Sequence, residues 1–233
     1  MTEVHNTVII PPIFHSHHVN AFFTTKAVQC AVSVLAELLA VPSGDIYMPI
    51  QKHTDKVMVL DYDREPKIAD AVVTNNRGIF IGVQAADCVP VLLFDKKRRV
   101  AGAVHAGWRG TAASIVKKTI EMMSQRFFTS PADIIMAIGP SIRWCCYEVG
   151  YDVIEAVTRA SGEGDYSMTK GGKYCLDLAS ANRQQAVSSG VPPEQIWLSD
   201  ECTFCLPEKY YSYRFVNGTT GRQCGVIGII KHP

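Results

Sequence analysis

Three side chains with metal-binding or nucleophilic character stand beside apolar segments of the chain. Cys88 lies in Ala86-Asp87-Cys88-Val89-Pro90, His105 in Val104-His105-Ala106-Gly107-Trp108-Arg109-Gly110, and His53 in Gln51-Lys52-His53-Thr54. Strands bring such ends together even when their separation in sequence is large. Two imidazoles and one thiolate suit zinc, and they suit copper as well. A three-ligand set leaves a fourth position for water or substrate, which separates catalytic from structural zinc. The same residues admit a Cys88–His105 dyad, in which the imidazole lowers the thiol pKa and the thiolate attacks a carbonyl. They also admit a buried cysteine and two histidines with ordinary hydrogen bonds. Spacing alone leaves all three readings open.

The elements that must position these residues alternate between strand and helix. Asn20–Thr24 reads as a short strand and Ala27–Ala40 as a helix ending before Pro42. Ala71–Thr74, Ile79–Gln84, Val89–Phe94 and Val100–His105 are apolar and β-branched, as strands buried on both faces would be. After the glycine-flanked turn at 106–110, Ala112, Ile115, Val116, Ile120 and Met123 recur at helical spacing. Ile134–Ile138 reads as a strand stopped by Gly139-Pro140. Beyond it, Tyr151–Ala160 and Leu176–Ser188 read as helices, and Ile196–Leu198, Tyr211–Phe215 and Val226–Ile230 as strands. The Gly- and Ser-rich stretch 161–172 reads as an exposed loop. No repeat or linker divides the chain. The expectation is one α/β (α+β) domain over residues 1–233, with a mixed sheet and flanking helices.

Composition narrows the function classes. Twenty-three basic residues balance 22 acidic ones for a net charge of +1, which argues against a nucleic-acid or anionic-membrane surface. The dense basic run Lys96-Lys97-Arg98-Arg99 reads as a solvated turn between strands. The absence of a leader-like N-terminus and of a spanning apolar segment makes a soluble, cytoplasmic protein the expectation; a monomer is expected, though no sequence feature fixes the oligomeric state. Eight cysteines in that setting imply reduced thiols or ligands rather than a disulfide framework. Cys202-Thr203-Phe204-Cys205 has redox-motif spacing, but no helix start follows and no second pair completes a zinc ribbon, so structural thiols are expected. Cys145-Cys146 are adjacent, and Cys30, Cys175 and Cys224 read as small core residues. His15, His17 and His18 read as an exposed loop.

The blocks Gln51-Lys52-His53, 69–74, 86–95 and 104–110 resemble the signature of the laccase-domain, polyphenol-oxidase-like family. Gly139-Pro140-Ser141-Ile142 and Cys146-Tyr147-Glu148-Val149-Gly150 resemble its next blocks. Leu176-Asp177-Leu178 with Asn182, Cys202-Thr203, Ser212-Tyr213-Arg214 and Gly221-Arg222 resemble its C-terminal ones. The resemblance implies a zinc site (copper has also been proposed) at His53, Cys88 and His105. It implies an α/β sandwich similar to that of a cysteine-hydrolase toxin domain. The implied activity is phosphorolysis of adenosine, inosine, guanosine and methylthioadenosine, with adenosine deamination; an older description is polyphenol oxidase. One departure stands out. Where the family has Thr-Arg followed by Gly-Gly-Val-Ser, this chain reads Thr25-Lys26-Ala27-Val28-Gln29. Lysine cannot copy the planar two-pronged grip of arginine on phosphate.

Under that resemblance a zinc ion would lower the pKa of bound water to about 7, and Asp87 or Glu148 would shuttle the proton during deamination. Arg109, helped by Lys26, would hold phosphate. Trp108 is expected in the core or the pocket wall, and Arg222 outside the site. The expected partners are a purine nucleoside and phosphate, with neither nucleic acid nor membrane. A multicopper phenol oxidase needs more histidines, in paired motifs, than the seven present. A closed site with no room for ligand would instead mark a binding module.

Overall fold

A computed structural model describes residues 7–15 and 17–231. In chain order the first strands and helix are β1 (Val8–Ile9), β2 (Val19–Thr24), α1 (Val32–Leu39), β3 (Ile46–Tyr47), β4 (Val57–Val59), β5 (Ala71–Thr74) and β6 (Phe80–Ala85). The middle of the chain supplies β7 (Val89–Asp95), β8 (Val100–Ala106), α2 (Trp108–Ala112), α3 (Ile115–Phe127), β9 (Ile134–Ile138), β10 (Glu148–Val149) and α4 (Tyr151–Ser161). There follow β11 (Ser167–Lys170), β12 (Lys173–Leu176), α5 (Leu178–Ser188), β13 (Ile196–Leu198), α6 (Tyr213–Val216) and β14 (Gln223–Ile229).

Two mixed sheets stack between helical layers. One has the order β1-β2-β14-β6-β3, the other β13-β9-β7-β8-β5-β4. The period-2 alternation of strands decides the layers. On β7, Leu92 and Phe94 face the other sheet, where they meet Phe23, Ile81 and Ile227. Val89, Val91 and Leu93 face Ile115, Ile120 and Met123 of α3 and Leu178 of α5. Every residue of β7 and of β8 is buried, as strands covered on both faces must be. Helix α1 closes the outer face of the five-stranded sheet with Leu35 and Ala36 against Phe22, Phe80 and Val226. The expected mixed α/β sandwich is therefore the observed one.

Several local expectations needed correction. Residues 211–215 do not form a strand: Ser212 Oγ accepts the N–H of Phe215 at 3.0 Å and starts the short helix α6. Tyr213 and Phe215, whose aromatic character suggested a strand, are exposed. The loop expected over 161–172 contains β11, which turns through Gly171 and Gly172 at positive φ to pair with β12. One expected helix is two, because Ser114 takes a left-handed backbone (φ 60°) between α2 and α3. The basic run 96–99 is a turn, as expected, held by Asp95 Oδ1 accepting from the N–H groups of Lys97 and Arg98.

The sheet register fixes the centre of interest. Pro90 pairs with His105 and Val89 with Ala106, so Cys88, one residue before β7, lies beside the end of β8. On the other side Ala71 pairs with Val104, and the N–H of His105 donates to the carbonyl of Asp70 at 2.7 Å. Helix α2 carries Trp108 and Arg109 and is tied to α5: Asn182 Nδ2 donates to Thr111 Oγ1 at 2.9 Å and Gln185 Nε2 to the Thr111 carbonyl at 2.8 Å. All three side chains are fully buried, and the amide N–H groups of Asn182 and Gln185 make the hydrogen bonds that tie the two helices together.

Candidate metal centre and its pocket

One carboxylate assembles the centre. Asp70, fully buried just before β5, accepts backbone N–H bonds from Lys52 (3.2 Å), His53 (3.0 Å) and Thr54 (2.7 Å), and the Thr54 hydroxyl at 2.7 Å. Its Oδ1 also lies 2.8 Å from Nδ1 of His105. Burial by itself would push this carboxyl up; the bonds from His105 and Thr54 outweigh it and hold the group below the usual carboxylate range. Asp70 thereby fixes both histidines. It holds the backbone of His53, which adopts a left-handed conformation (φ 57°), and it leaves Nε2 of His105 facing the centre. The two imidazoles stand edge to face, 4.9 Å between centroids.

Cys88 Sγ completes the group at 3.9 Å from Nε2 of His53, and one ligand atom from each of His53, Cys88 and His105 falls within 4.8 Å of the others. Burial would raise the Cys88 thiol, but the neighbouring His105 and His53 pull it down to about 6. His105 moves the opposite way: burial lowers it, and Cys88 and Asp70 raise it to about 9. A thiolate and two convergent imidazoles, one backed by a carboxylate, match the donor set that zinc takes in open three-ligand sites. The residues present fit such an ion. His105 is buried, Cys88 half-buried and His53 exposed, so the group opens to one side.

That side is a cavity of about 780 Å³, lined among others by Gln51, Gln84, Asp87, Trp108, Arg109, Tyr147, Arg214 and Arg222. Its size falls in the range of small-molecule sites, so the site has room for a ligand and lacks the closed form that would mark a binding module. Gln51 and Gln84 clasp each other, with Gln51 Nε2 donating to the Gln84 carbonyl at 2.8 Å and Gln51 Oε1 accepting the Gln84 N–H at 2.7 Å. The Arg109 guanidinium stacks over the Trp108 ring at 4.4 Å, and that of Arg214 lies 5.1 Å over Tyr147. The Tyr147 hydroxyl is pushed up to about 12, first by burial and then by the Cys88 thiolate, so it stays protonated and able to donate.

The residues expected to do chemistry divide. Arg109 and Trp108 line the cavity as expected, and Arg222, expected outside, lines it too. Asp87 also lines it, at φ 85°, but both of its oxygens are taken: the Thr203 hydroxyl donates at 2.6 Å and the N–H of Arg214 at 2.7 Å. Asp87 thus anchors α6 and its Arg214 beside Cys88. Glu148 lies outside the lining; its exposed carboxylate pairs with Lys173 Nζ at 2.8 Å on the neighbouring strand β12. Lys26 is outside as well: its ammonium donates to the Pro207 carbonyl at 3.2 Å and lies 5.5 Å from the Tyr211 ring. Asp70, Tyr147 and Arg214 were not expected at the site. For Asp70 a signal existed, an acidic residue directly before a strand with no exposed position.

A His–Cys–His group that could hold a metal ion, opening into a cavity lined by three arginines, sits in an α/β sandwich. The chain belongs to the family described as multi-copper polyphenol oxidoreductase laccase, which matches residues 17–230. It is 41% identical over 181 residues to a purine nucleoside phosphorylase of Clostridium acetobutylicum, covering 76% of this chain and 74% of that one. An adenosine deaminase, RL5, from an unknown prokaryotic organism is 37% identical over 201 residues, 81% of this chain and 76% of that protein. The crystal structure of the YfiH protein of Bacillus licheniformis superposes with a TM-score of 0.88 at 30% identity, over 97% of both chains. No described helix is long and apolar enough to cross a membrane.

Proposed function

We propose that the chain is a single-domain, cytoplasmic, zinc-dependent purine nucleoside phosphorylase with adenosine deaminase activity. The observation that carries this reading is the union, in one cavity of about 780 Å³, of the His53–Cys88–His105 group with the guanidinium groups of Arg109, Arg214 and Arg222. Three arginines in one lining suit a phosphate dianion, and the volume accommodates a nucleoside with it. The names of the relatives point the same way.

His53, Cys88 and His105 would hold the ion, with Asp70 orienting the His105 ring and fixing the backbone of His53. A divalent ion there supplies Lewis acidity toward a substrate oxygen or nitrogen. Arg109, aided by Arg214 and Arg222, neutralises the phosphate that forms the new bond to the sugar carbon as the bond to the purine breaks and its electron pair leaves with the base. Trp108 and Tyr147 wall the cavity, and the protonated Tyr147 can donate a hydrogen bond to bound substrate. Asp87 keeps Arg214 in place. Its occupied oxygens, and the pairing of the Glu148 carboxylate with Lys173 outside the lining, leave proton transfer in deamination to another group or to solvent.

The thiolate–imidazolium pairing of Cys88 and His105 favours one alternative, a cysteine hydrolase. Copper in the same three-ligand group would fit the family's description as a laccase, although among the described residues His53 and His105 are the only histidines in a metal-capable group. One experiment separates these readings: elemental analysis of wild type and Cys88→Ala, with both assayed for phosphate-dependent release of hypoxanthine from inosine. Loss of one zinc per chain together with the activity supports the proposal. Activity that survives complete chelation sinks it in favour of the dyad, and copper with phenol oxidation sinks it in favour of the oxidase.

A further inference from the structure

Four of the thiols lie outside the pocket and meet one another. Cys145 and Cys146 sit on the turn that follows Ser141, and Cys202 and Cys205 bracket the turn beyond β13. Sequence spacing offered no partner for the Cys202–Cys205 pair, yet the fold supplies one. Ser141 and Cys202 form a parallel bridge, and the N–H of Thr203 donates to the Ser141 carbonyl at 3.1 Å, so the two loops run side by side. The Cys205 sulfur then lies 3.7 Å from that of Cys145 and 3.3 Å from that of Cys146, and all four sulfurs fall within 4.8 Å of one another.

A tetrahedral zinc ion with Zn–S bonds of about 2.3 Å requires sulfurs about 3.8 Å apart, which these separations span. They are too long for formed disulfides of about 2.05 Å, and all four thiols are free. The loop is also built for a thiolate. Cys202, the buried member, accepts the N–H of Arg143 at 3.4 Å together with the backbone amides of Cys205 and Phe204; burial would raise its pKa, and these amides hold it below the ordinary thiol value. Cys145 is pushed up to about 11, first by burial; the Cys146 sulfur opposes this, and the sulfurs of Cys202 and Cys205 raise it further. Four such groups ionise together only with a cation among them. Cys145 and Cys205 are exposed and give an ion access.

We propose that Cys145, Cys146, Cys202 and Cys205 form a second metal site, a closed four-sulfur shell for a thiophilic divalent cation of the zinc type, separate from the His53–Cys88–His105 group. Four protein ligands leave no open position, so the site is structural. Binding releases the protons of the coordinating thiols and involves no change of oxidation state. Its place in the fold says what it braces. The loop bearing Cys145 and Cys146 also presents Ile142 and Tyr147 to the cavity, and the loop bearing Cys202 and Cys205 presents Thr203, whose hydroxyl holds Asp87 beside Cys88. A metal that clamps these two loops together stiffens one wall of the pocket.

The test uses the full chain carrying Cys88→Ala, which disables the first group, freed of metal under anaerobic reducing conditions and titrated with cobalt(II). The expected result is saturation at one equivalent, with the sulfur-to-cobalt charge-transfer and intense visible bands of a tetrahedral thiolate site. Zinc should displace the cobalt and raise the unfolding temperature by several degrees. Adding Cys205→Ala, or Cys145→Ala if the first variant fails to fold by circular dichroism, should abolish the bands. X-ray absorption of the zinc-loaded Cys88→Ala protein should give four sulfur neighbours and needs no change in the cluster. Folded protein without charge-transfer bands overturns the proposal, as do bands unchanged in both cluster variants. Protein isolated metal-free with Cys146 and Cys205 joined as a disulfide also overturns it, in favour of a redox pair.

Discussion

Asp70 Oδ1 and His105 Nδ1 lie 2.8 Å apart in the interior, and that one contact sets the tautomer and the aim of the ring that faces Cys88. The same carboxylate holds the backbone of residues 52–54, so a single side chain couples the two histidines of the candidate metal centre. Asp70→Asn keeps the shape but removes the negative charge facing His105 and puts an NH2 donor in place of one of the two acceptor oxygens. Zinc affinity, measured by competition with a chromophoric chelator, is expected to fall about 10- to 100-fold. Asp70→Ala also orphans three backbone donors and should cost about 3 kcal/mol in urea unfolding. The carboxyl is held below its ordinary value, so its contribution is complete above pH 4 or so and fades only as pH falls toward the folded-state value. Unchanged zinc affinity in Asp70→Asn would remove it from the site.

Gly107 gives a test that touches geometry without touching a ligand. A Cβ added there would sit 3.0 Å from the Cys88 sulfur and 3.2 Å from Cδ2 of His53. Its backbone (φ −73°, ψ 175°) is open to any residue, so alanine introduces no backbone strain. Gly107→Ala is therefore expected to displace Cys88 and His53 by a few tenths of an ångström. Zinc affinity should drop about tenfold, a response expected of sites held to within about 0.5 Å, while the urea midpoint shifts by less than the equivalent of about 1 kcal/mol. A variant that binds zinc as the wild type does would show that the centre tolerates expansion.

What the sequence made legible follows from the range of the interactions involved. Residue type, and for Cys88 and His105 the continuous apolar runs of β7 and β8 beside them, are local properties that single these side chains out, but grouping them with His53 as one ligand set came from the family resemblance. Arg214 and Arg222 were out of reach. Arg214 depends on Asp87, 127 positions away, accepting its backbone N–H, and on α6, whose aromatic residues read as a strand. Arg222 reaches the cavity because β14 inserts between β2 and β6, a pairing that no local periodicity encodes. Lys26 differs for the opposite reason: its place in a family motif suggests phosphate, and the structure sets it outside the cavity lining with its ammonium on the Pro207 carbonyl. The four-cysteine cluster depends on a bridge between Ser141 and Cys202 and was equally invisible.

The reactivity of Cys88 should report the imidazoles beside it. With its thiol brought down to about 6 by His105 and His53, metal-free protein carries the thiolate at pH 7, and protonation removes it as pH falls through 6. Peptide-mapped alkylation of Cys88 by iodoacetamide should therefore inflect near pH 6 rather than near the ordinary thiol value of about 8.5. His105→Ala should return the inflection toward that ordinary value, and added zinc should suppress labelling at every pH. Labelling of the wild type that rises only above pH 8 would contradict the pairing.

Phosphate binding separates the arginines of the cavity from the lysine outside it. Arg109 lines the pocket with its guanidinium spread over Trp108, positioned by a helix that α5 anchors through Thr111. Truncating a guanidinium that contacts a phosphate removes a charge-assisted bond worth roughly 1.5–3 kcal/mol. Arg109→Ala is therefore expected to raise the KM for phosphate by about tenfold or more, with the KM for inosine changed far less. Lys26→Ala and Glu148→Gln alter exposed side chains paired with Pro207 and Lys173, and neither should move kcat/KM by more than about twofold. Steady-state kinetics with each substrate varied in turn decides between two geometries. If Lys26→Ala raises the phosphate KM and Arg109→Ala does not, the anion is bound at the Pro207 side of the chain, and the cavity beside Cys88 serves only the nucleoside.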